Sequence, residues 1–279
     1  MEQLAKLQGR IETLEELREL MRAMRALAAS HVQGAQSALE GIREYAAVIE
    51  DAIAAGVTLL PGQGAPAAGA AGEPDLLLVL TSEHGFVGGF NDALVDRAAD
   101  LTADGSPLAM VGQRGTALAQ ERNLSLAWSE PMATQVAAVL GVARRIAGRM
   151  AGFQRARIVY GGYRRGGYYE VEERRILPLD PALLQRSNGR AKPLHHLPAE
   201  VLLLRLADEY LVAELTRAIM ESFASENAAR LRVMESANRN IDNRLGKLSG
   251  EALRLRQTAI TAELLDLITG AEAILGDAR

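Results

Sequence analysis

The chain contains no cysteine. Disulfides, iron–sulfur clusters and cysteine-ligated zinc are therefore excluded as sources of stability or chemistry. Aromatic residues make up only 4% of the 279 residues, so a large compact core must be filled by smaller side chains. Alanine and leucine fill that place, as in helix–helix seams. Proline is absent before Pro61 and after Pro198, so nothing in either terminal stretch forces a helix to break. No apolar run reaches membrane-spanning length, because charges interrupt every candidate. Excess positive charge is also missing. A formal net charge of -4 argues against non-specific binding to nucleic acid. The chain enters a helical pattern directly after Met1, which predicts no signal or transit peptide and a soluble, cytoplasmic protein.

What is present is a heptad pattern at both ends. From Leu4 an apolar seam passes through Leu7, Ile11, Leu14, Met21, Ala28, Val32, Ala35, Leu39, Ile42, Ala46 and Ile49 to Ile53. Its steps alternate between three and four residues, interrupted only at Arg18 and Arg25. A second seam runs Leu231, Met234, Ile241, Leu245, Leu248, Ala252, Leu255, Ala259 and Ala262, with Asn238 at one core position as a register-fixing polar residue. Helices this long persist only by packing along their seams, and each seam is the natural partner of the other. The expected fold class is α/β: a long antiparallel coiled coil of the N- and C-terminal helices, plus a central doubly wound α/β domain. Residues 1–60 form one coiled-coil helix, 75–180 the central domain, and 199–279 the helix that pairs with 1–60.

The first boundary is the Gly/Pro-rich stretch 61–74. Beyond it, Leu76–Ser82 reads as a buried parallel strand and Ala93–Ala103 as a helix capped by Asn91-Asp92. Leu108–Val111 reads as a strand, Thr116–Arg122 as a short helix, and Pro131 as the start of another with Val136, Val139, Leu140, Ala143 and Ile146 on its apolar face. Arg157–Tyr160 is a strand followed by a turn at Gly161-Gly162. A second turn at Gly166-Gly167 precedes an antiparallel strand over Tyr168–Leu177. A polar stretch from Asp180 to Pro198 leads into the last helix, which begins near Ala199.

Candidate chemistry is sparse. The turn Ser82-Glu83-His84-Gly85-Phe86-Val87-Gly88-Gly89 follows a strand and precedes a helix, where glycine-rich loops cradle phosphates. Its spacing fits neither the dinucleotide nor the P-loop pattern, so tight turns or close packing are the favoured explanation. Glu83 and His84 are adjacent in a turn, where neighbours point apart. Ser82 lacks the glycines of a nucleophile elbow. His195 and His196 have no carboxylate at metal-ligand spacing. Arg164-Arg165 and Arg174-Arg175, interleaved with tyrosines, suggest nucleic-acid stacking, but Glu170, Glu172 and Glu173 in the same stretch favour a mixed solvated face. No catalytic, cofactor-binding or metal residue is assigned. Gln257 and Thr261, four apart, share one helix face that can grip a neighbouring protein, with a solvated face the default on spacing alone.

That last segment carries a resemblance. Ala224-Ser225-Glu226-Asn227-Ala228-Ala229-Arg230, followed by Arg256-Gln257-Thr258-Ala259-Ile260-Thr261-Ala262-Glu263-Leu264 and the small-residue ending at Gly270–Ala273, resembles the C-terminal signature of the gamma subunit of rotary, F-type ATP synthases. Arg10-Ile11, Met21-Arg22-Ala23-Met24 and Ala28-Ala29-Ser30 are similar to that family's N-terminal motifs. Thr81–Asn91 is similar to its TSDRGLCGGLN turn. The likeness spans nearly the whole chain in the right order.

The resemblance implies a non-catalytic rotor whose terminal helices form a coiled coil inside a ring of alpha and beta subunits. Its α/β domain lies near the epsilon subunit and the c-ring, at the cytoplasmic face of a bacterial membrane that it meets only through the c-ring. Nucleotide is bound by the ring, and the subunit itself needs no cofactor. Arg256, Gln257 and Thr261 match positions that bond the catch loops of beta, and Met24 matches the methionine facing the beta lever. Departures also occur. Glu12, Glu15, Glu16 and Glu19 make the first helix less basic than usual, His31 stands where lysine is common, and Ala26 replaces a larger apolar residue. These imply a divergent bacterial form. Without the resemblance, two alternatives remain: a coiled-coil adaptor with an α/β head, or an enzyme binding nucleotide on Gly85–Gly89.

Overall fold

The computed structural model describes residues 2–59, 75–102, 105–164, 166–179 and 194–276. The linker 61–74, Arg165 and most of the Asp180–Pro198 connector lie outside them. The chain divides into two compact units, Met1–Ala26 with Arg232–Arg279, and Leu27–Leu231. Two long helices, α1 (Glu2–Val57) and α5 (Ala199–Gly276), contribute to both.

In the smaller unit the inward stripe of α1 passes through Leu4, Leu7, Ile11, Leu14 and Met21, with Leu7 buried. On α5 the stripe is Met234, Asn238, Ile241, Leu245, Leu248, Ala252, Leu255 and Ala259. Both follow the heptad seams. Arg18, at an interrupting position, is half-buried and reaches Glu15, Glu19 and, 3.9 Å away, Asp242 of α5. Arg25 is exposed and Met24 takes the inward place beside it. A three-residue step from Met21 thus replaces the four-residue step and keeps the guanidinium in water. Asn238 is buried, with its Oδ1 lacking a hydrogen bond. The α5 seam stops at Ala259. Ala262 is exposed, as are Leu264, Leu265, Leu267 and Ile268.

The larger unit is built on a five-stranded sheet of order β3-β2-β1-β4-β5. Its strands are β1 (Asp75–Leu80), β2 (Leu108–Val111), β3 (Leu126–Glu130), β4 (Arg155–Arg164) and β5 (Tyr168–Leu177). The first four run parallel and β5 pairs antiparallel with β4. Helices cover both faces. Leu77 and Val79 pack with Leu94, Val95 and Ala98 of α2 (Phe90–Leu101) and Ala119 of α3 (Gln113–Glu121). Leu76, Leu78 and Leu80 face Val142, Ala143 and Ile146 of α4 (Val139–Arg149), Ala35 and Leu39 of α1, and Leu215, Ile219 and Phe223 of α5. Both faces of β1 are therefore buried, the reason its sequence is continuously apolar rather than alternating.

Four details differ from the sequence reading. Asn91 does not cap α2: Gly89 precedes the helix, and the Asn91 side chain turns to Ser82. Pro131 does not open a helix, since a 3-10 turn at Val136–Ala138 leads into α4. Strand β3, at the sheet edge, was not predicted; its burial alternates only between half-buried and exposed, which leaves a weak apolar signal. Gly161 and Gly162 are not a turn but the continuation of β4. They are glycine because neighbours crowd them. A Cβ on Gly161 would lie 2.7 Å from Phe90 Cε2 and 3.0 Å from Ser225 Cβ, and one on Gly162 would strike the Glu172 side chain. The turn at Gly166-Gly167, with φ of 91° and 80°, joins β4 to β5 as expected.

Candidate functional site

Two surfaces carry the candidate residues, one in each unit. The first is the C-terminal end of the parallel strands. In doubly wound sheets a ligand lies in the crevice where strand order reverses, outside the carboxyl ends of neighbouring strands. Here that point falls between β1 and β4, and residues 222–230 of α5 fill it. Ser222 Oγ donates to the Leu80 carbonyl at 3.2 Å, and Ser225 Oγ donates to the Gly161 carbonyl at 2.8 Å. Both serines are buried, and Gly161 provides the close approach that the second contact needs.

The glycine loop is held by the same helix. Arg230 donates from Nε to the Gly85 carbonyl and from a terminal nitrogen to the His84 carbonyl, each at 3.2 Å. It also pairs with Glu226 Oε1 at 2.6 Å and with Asn227 Oδ1 at 2.9 Å. His31 of α1 completes the cluster, with Nδ1 3.3 Å from Asn227 Oδ1 and its ring 5.3 Å from Phe223. Within the loop, Ser82 Oγ donates to the His84 carbonyl, and Asn91 bonds both the Ser82 amide and its hydroxyl. Glu83 turns away from His84. Its Oε2 accepts from the amides of Gln113, at the start of α3, and Met132. Ser82, Glu83 and His84 are thus loop fasteners and form no nucleophile–base array. Among the described residues no three potential metal ligands come together. His195 and His196 are exposed, away from the loop cluster's contacts.

One arginine of each basic doublet is likewise tied to acids. Arg164 pairs with Glu170 and Glu172, and Arg174 with Glu214, so β5 presents a mixed charged face. Tyr160 donates to Glu172 at 2.6 Å.

Glu226 is 4% exposed and its Oε2 has no hydrogen bond. Burial pushes its carboxyl up to about 7, with Arg230 pulling down and Glu83 adding to the rise. A carboxyl whose native pKa lies above its unfolded value binds more protons when folded. Stability contributed by this group therefore falls as pH rises from the ordinary carboxylate range through 7, and is level above that. Glu226→Gln is expected to flatten the stability profile between about pH 5 and 7, by at most about 1.4 kcal/mol per pH unit. Glu214 and Glu221, also raised by burial, keep part of the slope. Urea midpoints followed by Trp128, the chain's one tryptophan, across that pH range check it.

The second surface is on α5 in the smaller unit. Arg256, Gln257 and Thr261 are all exposed, and Thr261 Oγ1 donates to the Gln257 carbonyl at 2.8 Å. That bond fixes the hydroxyl's rotamer and leaves its lone pairs to accept from outside. Met24 is half-buried on α1 and outside this cluster. Sequence reasoning noted the Ala224–Arg230 motif without finding its role in clamping the glycine loop. The available signal was the run of Ser225, Glu226, Asn227 and Arg230 directly after the apolar Phe223 and Ala224.

Comparison with known proteins spans nearly the whole chain. The family model described as ATP synthase matches residues 3–274. The chain belongs to the ATP synthase family. It is 30% identical to the ATP synthase gamma chain of Fuscovulum blasticum, with 98% of this chain and 100% of that one aligned. It is 31% identical to the gamma chain of Granulibacter bethesdensis over the same shares. The fold is similar to a chain of the Euglena gracilis mitochondrial ATP synthase OSCP/F1/c-ring structure, with TM-score 0.67, 15% identity, and 99% and 96% of the two chains covered. It is also similar to a chain of the Tetrahymena thermophila mitochondrial ATP synthase central stalk and c-ring, with TM-score 0.60, 22% identity, and 78% and 99% covered. In this chain the first surface is a self-bonded cluster and the second an exposed polar face. Among the described residues no helix is long and apolar enough to cross a membrane.

Proposed function

We propose that the chain is the non-catalytic rotor of an ion-translocating F-type ATP synthase. Residues 1–60 and 199–279 pair as an antiparallel coiled coil, and 75–180 form the α/β domain. The rotor turns within a ring of alpha and beta subunits and connects through its α/β domain with epsilon and the c-ring. Its place is peripheral, at the cytoplasmic face of a bacterial membrane, which it meets through the c-ring. Arg256, Gln257 and Thr261 contact the beta subunits as hydrogen-bonding groups, and Met24 contacts them by packing.

The observation that carries this reading is the occupation of the sheet's crevice by α5. The place where a doubly wound enzyme would take nucleotide is closed by Ser222, Ser225 and Arg230 of the chain's own helix. The helix that plugs the crevice is the same helix that presents Gln257 and Thr261 to solvent. An asymmetric rotor cannot meet the subunits of a ring equally, so each orientation favours a different set of ring conformations. Orientation and nucleotide affinity are then linked reciprocally.

Reconstitution with alpha and beta subunits of the same organism tests the proposal. Stable assembly with sustained ATP hydrolysis is expected. Gln257→Ala with Thr261→Ala should weaken assembly or turnover about tenfold, since neutral hydrogen bonds contribute about 0.5–1.5 kcal/mol each. Failure to associate with the ring would favour a coiled-coil adaptor instead.

A further inference from the structure

In the larger unit one side chain holds two things at once. Arg230 takes one oxygen of the buried Glu226 at 2.6 Å, while the other oxygen has no hydrogen bond. The same guanidinium donates outward to the Gly85 and His84 carbonyls. It therefore neutralises a buried carboxylate and fastens the glycine loop together. The fastened loop carries a strained residue. Phe86 has φ of 62°, a left-handed conformation uncommon outside glycine, and it is 60% exposed. Such strain persists only where the surroundings impose it. With its ring in solvent, Phe86 depends on the bonds its neighbours make, and Arg230 supplies two of them.

The groups around Glu226 divide in their influence. On α5, Arg230 favours the ionised carboxylate. From the loop, Glu83 opposes it as a like charge, fixed in place by the amides of Gln113 and Met132. On α1, His31 shares the Asn227 Oδ1 with Arg230. His84 is exposed, and Arg114 of α3 borders the loop at Gly85. Burial weighs most, and it moves the Glu226 carboxyl up to about 7. When that carboxyl takes up a proton, Arg230 stays charged, because a guanidinium keeps its proton. Its side chain is only 11% exposed, and a buried cation without its counter-ion is costly. The long arginine stem lets the head move out to water, which releases both carbonyls.

We propose that Glu226 and Arg230 form a proton-operated latch on the glycine loop. The ionised pair holds residues 84–88 with Phe86 displayed at the surface, and a proton on Glu226 frees them. The surface that this loop offers a partner is then set by pH. The proposal involves only the larger unit and does not depend on the rotor reading.

Nitrogen-15 relaxation of the full chain at about pH 5.5 and about pH 8, on either side of the titration, tests it. Order parameters of the amides 85–88 are expected near about 0.85 at the higher pH and below about 0.6 at the lower. The Arg230 Nε–H resonance reads the latch itself. Its protection against solvent exchange should be at least about tenfold smaller at the lower pH. Glu226→Gln, which cannot ionise, should abolish both changes with pH, whereas His31→Gln and His84→Gln should keep them. Circular dichroism and urea unfolding read by Trp128 establish that the variants are folded. Order parameters that are the same at both pH values would overturn the proposal. So would a change that survives Glu226→Gln, or one that is lost in either histidine variant.

Discussion

Arg230→Ala is expected to destabilise the larger unit by about 3–5 kcal/mol, the usual cost of removing one partner from a buried ion pair. The reason lies in what remains. Glu226 would be left buried with neither carboxylate oxygen bonded, since Oε2 already has no hydrogen bond and Oε1 depends on Arg230. The Gly85 carbonyl would lose its side-chain donor at the same time, and the His84 carbonyl would keep only that of Ser82. This account makes a sharper claim than simple loss of contacts. Because the Glu226 carboxyl already titrates at about 7, the cost should shrink as pH falls and the carboxyl is neutralised. Adding Glu226→Gln should recover a large part of it at neutral pH. Urea unfolding of the wild type, both single variants and the double variant, read by Trp128, forms the cycle that measures the coupling. An unchanged cost at about pH 5.5 and about pH 8, on either side of the titration, would mean that the carboxylate is not the group left stranded.

Gly161→Val is expected to cost about 3 kcal/mol, at the upper end of the range for overpacking a filled core. Valine favours a strand, and propensity alone would predict a gain of up to about 1 kcal/mol. Sterics outweigh it, because the added Cβ meets the Phe90 ring and the Ser225 Cβ, both on buried residues of packed helices. The helix α5 would have to move off the sheet, losing the Ser225 bond to the Gly161 carbonyl. Increased exchange of the amides of α5 near Ser225, alongside a lowered urea midpoint, is the expected signature. An unfolding free energy within about 0.5 kcal/mol of wild type would show that the site relaxes, as ordinary surface positions do.

These contrasts show which features a sequence displays and which it hides. The seams of α1 and α5 were legible because a heptad repeat is local and is repeated many times. Strand β1 was legible from its unbroken apolar run, and the β4–β5 hairpin from Gly166-Gly167. The glycine pair at 161–162 was misread because local chemistry cannot distinguish a glycine that turns the chain from one that admits a neighbour. Only the approach of Phe90 and Ser225, distant in sequence, decides between them. Asn91 failed as a cap for a related reason: its partner, Ser82, competed successfully for the side chain. At the candidate site, Gln257 and Thr261 were singled out by the family resemblance, since spacing alone says only that they share one helix face. The role of Arg230 was invisible because its acceptors are backbone carbonyls, which every residue supplies.

The most direct test of the rotor reading is to watch rotation. The chain has no cysteine, so Asp100→Cys, at an exposed position on α2, provides a unique attachment point for a bead. With the chain assembled in a surface-fixed ring of alpha and beta subunits, the account predicts sustained rotation of the bead in one direction when ATP is supplied. It also predicts slower or interrupted rotation for Gln257→Ala with Thr261→Ala. ATP hydrolysis at the wild-type rate with a stationary bead would contradict the account.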